Sequence, residues 1–170
     1  MNYVALVRGI NVGGSGLLPM KELAALCQGL GFASVRTYIQ SGNVLFESKL
    51  SEAKARRLIE HALEGTMGRK IQVMLRTREE LEQILSRNPF AGNEPAKVGI
   101  AFLQAGPPPD LLQNVIAPDG EQIQLGEREI YIYFPIGQGR SKLKMSLDVP
   151  TTVRNLNTVA KLVALSGGKA

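Results

Sequence analysis

The sequence predicts an α+β protein made of two ferredoxin-like subdomains (alpha-beta plaits) in tandem, the second incomplete or modified. Three observations carry this. Residues 3–76 run strand, helix, strand, strand, helix, strand, an order that closes with right-handed crossovers into an antiparallel sheet under two helices. The second half repeats most of that order but ends in helices where a last strand is due. A chain of 170 residues, 44% of them hydrophobic, is long enough to give each unit a core. The boundary falls near residue 77, dividing the chain into residues 1–77 and 78–170.

Tyr3–Arg8 is a run of β-forming residues and reads as the first strand. It is apolar on both faces, with Tyr3, Ala5 and Val7 on one and Val4 and Leu6 on the other. The face opposite the helices therefore needs a cover, which the second subdomain or the C-terminal helix would supply. Gly9–Leu18 is a glycine-rich loop. Pro19 suits the first position of a helix, which continues to about Leu30 on the apolar spacing Leu23, Leu26, Cys27, Leu30 and stops at Gly31. Val35–Ile39 and Val44–Phe46 are strands joined by the turn residues Gln40, Ser41, Gly42 and Asn43. Ser51 caps a second helix, whose stripe is Leu58, Ile59, Ala62 and Leu63. Gly65 and Gly68 end it, and Ile71, Val73 and Leu75 alternate as a fourth strand.

In the second half, Thr77 caps a helix to Leu85, and Asn88-Pro89 ends it with Phe90 as an apolar anchor. Lys97–Leu103 is a strand, and Pro107–Pro109 open a helix carrying Leu111, Leu112 and Val115. Gln122–Leu125 and Ile130–Phe134 form a hairpin, with Glu127 and Glu129 solvated at its tip. Gly139–Leu147 reads as a helix, and Thr151 or Thr152 caps the last one, Val153–Leu165.

Much chemistry is excluded. One cysteine, Cys27, allows no intramolecular disulfide, and it sits in an apolar helix stripe as a core residue. No run approaches the roughly 20 apolar residues that span a bilayer, and the N-terminus lacks a leader layout. These features predict a cytoplasmic protein with no membrane partner. The only histidine, His61, lies on the polar side of its helix beside Arg57 and Glu60. No Cys/His grouping has zinc spacing. Ser141 to Lys144 match S-x-x-K without the companion motifs of penicillin-binding enzymes. No metal, cofactor or catalytic residue is expected from these patterns.

The net charge of +5 arises beyond residue 138: Arg140, Lys142, Lys144, Arg154, Lys161 and Lys169 stand against Asp148 alone. A basic segment attracts anions such as phosphates, nucleotides or nucleic acid, or serves simply as a solvated face. The loop R-G-I-N-V-G-G-S-G, from Arg8 to Gly16, is neither a P-loop nor a dinucleotide fingerprint, yet its glycines permit close backbone approach to an anion. In the predicted sheet the first two strands run the same way, so this loop and the Gln40–Asn43 turn emerge at one end. The segment Gly68-Arg69-Lys70 joins them. The ligand-binding candidates there are Arg8, Asn11, Gly13, Gly14, Gln40, Ser41 and Asn43, an edge without acids. The last helix adds Arg154, Asn157 and Lys161, with Arg154, Thr158 and Lys161 at i, i+4, i+7.

MNYVALVRGINVGG, MKELAALCQGLGF, VRTYIQSGNVLF and RNLNTVAKLVAL together resemble a widespread bacterial family of unknown function, with RGINVGG and YIQSGNV as signatures. The resemblance implies a duplicated ferredoxin-like architecture. It also marks Arg8, Gly9, Asn11, Gly13, Gly14, Gln40, Ser41, Gly42, Asn43, Arg154, Asn155, Asn157, Thr158 and Lys161 as signature positions. Leu156 departs from the tryptophan usual in that family. No activity comes with the resemblance. The expectation is a protein that binds a phosphate-bearing or other anionic small molecule or nucleotide. The alternatives are a nucleic-acid binder, for which no aromatic platform is present, and a metal-independent transferase or hydrolase using Arg, Lys and Ser.

Overall fold

A computed structural model describes residues 1–9, 18–38, 42–147 and 149–166. Among them the fold is mixed α and β, with two four-stranded antiparallel sheets and four α-helices. The chain forms two compact units: Met1–Leu81 together with the chain from Leu162 onward, and Glu82–Lys161.

The first sheet contains β1 (Asn2–Val7), β2 (Ala33–Tyr38), β3 (Asn43–Glu47) and β4 (Val73–Thr77), in the order β2-β3-β1-β4. α1 (Met20–Gly29) follows β1, and α2 (Glu52–Met67) follows β3. Their apolar stripes, Leu23 and Cys27 in α1 and Ala55, Ile59 and Leu63 in α2, join the core with Tyr3, Ala5 and Val7 of β1. Each such burial of a large aliphatic side chain contributes about 1.5–3 kcal/mol. Ser51 caps α2 by accepting from the Lys54 amide at 3.3 Å. At the other end Gly68 (φ 72°) adopts the left-handed conformation that glycine takes without strain, and its amide donates to the Glu64 carbonyl at 2.9 Å.

Both faces of β1 are buried, as its two-sided apolar pattern demands: Val4 and Leu6 are as inaccessible as Ala5 and Val7. Arg36 pairs with Leu45, which pairs with Val4, so it lies on the face opposite α1 and α2. Its Nη2 donates to the Leu165 carbonyl, so the end of the C-terminal helix lies on that face.

The second sheet contains β5 (Val98–Leu103), β6 (Gln122–Leu125), β7 (Glu129–Tyr133) and β8 (Thr151–Asn155), in the order β6-β7-β5-β8. That is the strand order of the first sheet. α3 (Arg78–Ser86) follows β4, and α4 (Leu156–Ser166) follows β8. α3 begins with a capping box: Thr77 Oγ1 accepts from the Glu80 amide at 3.1 Å, and Glu80 Oε1 accepts from the Thr77 amide at 2.9 Å. Asn88 Oδ1 accepts from the Phe90 amide at 3.0 Å, and Phe90 is buried, the helix-ending turn and anchor expected there.

Four expectations for this half are corrected. The fourth strand is present: Thr151–Asn155 pairs with β5 rather than opening a helix. Thr151, Thr152 and Val153 are β-branched and suit a strand, and the helix cap is Asn155, whose Oδ1 accepts from the Thr158 amide at 2.9 Å. Gly139–Leu147 is not a helix but a 3-10 turn over Gln138–Arg140 followed by a strap. In it Leu143, Met145 and Leu147 pack on the core while Lys142, Lys144 and Ser146 are exposed, a period of two that no α-helix accommodates. The strap is tied by the bridge Ile116–Lys144, with bonds of 3.0 and 2.9 Å. After the prolines only a 3-10 turn, Leu111–Asn114, forms, and the chain is already extended at Val115 (ψ 134°). Finally, Glu129 is buried, not solvated: its carboxylate accepts from the amides of Glu127 at 3.2 Å and Arg128 at 3.0 Å and closes the hairpin tip.

Candidate functional site

The direction of the strands builds the site. β1 is antiparallel to β3 and β4, and β2 is antiparallel to β3. The ends of β1 and β2 and the beginnings of β3 and β4 therefore share one rim of the first sheet. Leu6 pairs with Asn43, and the Val7 amide donates to the Gly42 carbonyl at 2.8 Å. On the other flank the Arg8 amide donates to the Gln72 carbonyl at 3.0 Å. The side chains repeat this link, with Arg8 Nη1 on Gln72 Oε1 at 2.8 Å. Arg69 Nη2 reaches the carbonyl of Gly9 at 3.4 Å, and Gly9 takes φ 67°, a conformation costly for any residue with a Cβ.

Arg8, Arg69 and Lys70 are all exposed at this rim. Among the described residues none of them forms an ion pair. The two guanidiniums are oriented by neutral oxygens, with no carboxylate partner among the described residues. Asn43 plays a different part: it is fully buried, and its Nδ2 donates to the Tyr38 carbonyl at 2.9 Å, holding the two sides of the β2–β3 turn together.

Thus Arg8 and Asn43 meet at one rim. Asn11, Gly13, Gly14, Gln40 and Ser41 lie outside the described residues. Arg154, Asn157 and Lys161 belong to the second unit. They do not form the helical row expected, because Arg154 is in β8 while Asn157 and Lys161 are exposed on α4. Arg154 Nη1 donates to Thr152 Oγ1 at 2.7 Å and to the Val153 carbonyl at 3.1 Å, and burial brings its guanidinium down to about 10.

Sequence reasoning missed Gln72, the partner that sets the Arg8 guanidinium. The signal for it lies in register alone: Val7 pairs with Val73, so the next residue outward on each strand faces the other. Beside the rim a cleft of about 290 Å³ opens between α2 and the segment leading into β4, and Gln72 lines it too. His61 lines the same cleft and is exposed, as its place on the polar side of α2 predicts. Among the described residues no group of acidic, cysteine and histidine side chains has the arrangement of a metal site, and no helix is long and apolar enough to cross a membrane.

A family model described as "Protein of unknown function (DUF1697)" matches residues 1–131. Among solved structures the chain is similar to the conserved bacterial protein SP0830 from Streptococcus pneumoniae, with a TM-score of 0.78 and 26% sequence identity over 97% of this chain and 98% of that chain. No curated protein matches it.

Proposed function

The chain belongs to the DUF1697 family, and we propose that it binds a phosphate-bearing or other anionic small molecule, nucleotides included, at the polar rim of its first sheet. One observation carries the reading: Arg8 and Arg69 converge there, held by the Gln72 amide oxygen and the Gly9 carbonyl, with no carboxylate neutralising either among the described residues. Arginine suits this task because its planar fork matches phosphate and carboxylate oxygens. The strand order second-third-first-fourth in each sheet supports reading both as ferredoxin-like plaits in tandem. The single cysteine supports a reducing, cytoplasmic setting.

The test is a melting-temperature panel with inorganic phosphate, mononucleotides and dicarboxylates. A ligand present at a hundredfold over its dissociation constant stabilises the protein by about 2.7 kcal/mol. For a chain of this size that is a rise of about 5–10 °C. Arg8→Ala should reduce the affinity about tenfold or more, the loss of a charge-assisted bond. No shift with any anion at millimolar concentration ends the proposal.

A second reading, nucleic-acid binding, is favoured by the strap. Lys142 and Lys144 on it, and Arg140 in the turn before it, are exposed and form no ion pair among the described residues. Binding to a single strand that weakens steeply with salt would support it, and equal behaviour of Lys142→Gln/Lys144→Gln would remove it.

A further inference from the structure

We propose that the cleft beside the rim is the second half of the same site and takes the hydroxyl-bearing part of a phosphorylated sugar, whose phosphate lies on Arg8 and Arg69. This rests on the anion-binding reading of the rim.

Rim and cleft are continuous. Gln72 lines the cleft while its Oε1 accepts from Arg8 Nη1 at 2.8 Å, and Lys70, also in the lining, follows Arg69 in the chain. The facing wall comes from α2, where Arg57, Glu60, His61 and Glu64 share one side at i, i+3, i+4, i+7. Ile71, only 3% exposed, gives an apolar floor.

The two carboxylates of this wall are in different states. Glu60 is engaged: its Oε1 accepts from Arg56 Nη1 at 3.0 Å and its Oε2 from the Val73 amide at 2.9 Å. Glu64 is exposed and has no ion pair among the described residues, although Arg57 and Lys70 line the same cleft. A carboxylate accepts only, with two oxygens, and adjacent hydroxyls are the neutral donors that match it. The Gln72 amide nitrogen has no partner among the described residues and supplies the opposite polarity, a donor for a sugar oxygen.

Size and lining select within the phosphate esters. A volume of about 290 Å³ falls just below the roughly 300–1,000 Å³ typical of ligand pockets, enough for a sugar ring and too small for a dinucleotide. Among the described residues no Phe, Tyr or Trp lines the cleft, and the planar groups it offers a nucleobase are His61 and the Arg57 guanidinium, amid polar groups that match hydroxyls. The sugar and its phosphate are therefore the recognised parts, whether they come as a free sugar phosphate or as a mononucleotide whose base projects outward.

Isothermal titration with inorganic phosphate, ribose 5-phosphate and adenosine 5′-monophosphate tests this on the wild type, Glu64→Gln and Arg8→Gln. Both substituted side chains are exposed. Removing an acid from the last turn of α2 is also mildly favourable to the helix dipole, so unchanged melting curves are expected. Ribose 5-phosphate should bind about tenfold more tightly than inorganic phosphate. The monophosphate should match it, since both carry the recognised half. Glu64→Gln should remove that advantage and leave inorganic phosphate unaffected, whereas Arg8→Gln weakens every ligand. If phosphate binds and the sugar adds nothing, or if its advantage survives Glu64→Gln, the cleft proposal is overturned and the anion reading stands. A monophosphate far tighter than the sugar phosphate also overturns it, because the base would then be the recognised part. If no phosphate compound binds, both fail.

Discussion

Gly99 tests how tightly the second unit is packed. It lies in β5 between Ile132 of β7 and Asn155 of β8. A Cβ there would stand 2.9 Å from Phe134 Cε2 and 3.2 Å from Val153 Cγ1. Carbon atoms prefer about 3.5–4.0 Å, so the ring must retreat by about 0.6 Å or more to admit a methyl group. Phe134 belongs to the buried cluster with Ala101, Ile130 and Ile132, and has little room to yield. Overpacking of this kind costs about 1–3 kcal/mol. Against it, alanine restricts the unfolded chain and returns about 0.4–1 kcal/mol. Gly99→Ala should therefore destabilise by about 1–2 kcal/mol net, read from urea unfolding by circular dichroism. A double-mutant cycle locates the strain: Phe134→Leu removes the clashing carbon, so the two substitutions should couple favourably by about 1 kcal/mol. Wild-type stability in Gly99→Ala, or a coupling of zero, would refute the packing described for this strand.

Thr77→Ala removes one half of the capping box of α3 and should cost about 1 kcal/mol, a fall in melting temperature of about 2–4 °C. Burial pushes the Cys27 thiol up to about 12. It should resist a thiol reagent at neutral pH and react only in denaturant; rapid labelling of the native protein would contradict its place in the core. At Glu121 partial desolvation works upward but is outweighed by bonds from the Ser141 hydroxyl and the amides of Glu121 and Asp119, so its pKa lies below 4.5. A depressed carboxylate stabilises the fold above its unfolded pKa and loses that contribution as pH falls through the folded value. Glu121→Gln should accordingly flatten the decline in stability below about pH 4.5, and an unchanged acid limb would count against the Ser141 contact. Arg154→Ala should lower stability by about 1–3 kcal/mol, since it strips the Thr152 hydroxyl and Val153 carbonyl of a buried donor, while anion titrations at the rim stay as in the wild type.

The first unit was legible because its signals agree. Ser51 caps where the apolar stripe of α2 begins, Gly68 ends it, and the alternation of β4 follows. The shared rim then follows from strand direction alone, which is why Arg8 and Asn43 could be grouped without coordinates. In the second unit the signals compete. Thr151 and Thr152 serve equally as helix caps or as β-branched strand residues, and pairing with β5 decides for the strand. Lys142 to Leu147 carry lysines and leucines, good helix formers, but their apolar positions recur every second residue, and burial against the core overrides propensity. Gln72 was invisible because a polar residue just outside a strand has no pattern of its own. Only the pairing of Val7 with Val73 gives it a partner.

The register of the two sheets bears on which arginines meet a ligand. Val4 of β1 pairs with Arg76 of β4, and Ile100 of β5 pairs with Arg154 of β8. In each sheet the arginine is the fourth residue of the fourth strand, is buried, and is followed by the residue that caps the next helix, Thr77 or Asn155. Each also turns back on its own strand: Arg76 Nη1 donates to the Leu75 carbonyl at 2.9 Å, as Arg154 Nη1 does to the Val153 carbonyl at 3.1 Å. A buried side chain repeated at the same place in both sheets answers a need of the sheet, whereas the cleft walled by α2 belongs to the first unit. Arg8 has no such counterpart: the residue one step beyond β5 is Gln104, whose amide bonds the Pro150 carbonyl at 3.3 Å, so the position is kept in the backbone ladder while the guanidinium is not. The strand scaffold is thus shared by both units, and among the described residues the Arg8–Gln72 side-chain pair belongs to the first alone, which is why a ligand is sought at Arg8 and a stability defect at Arg154.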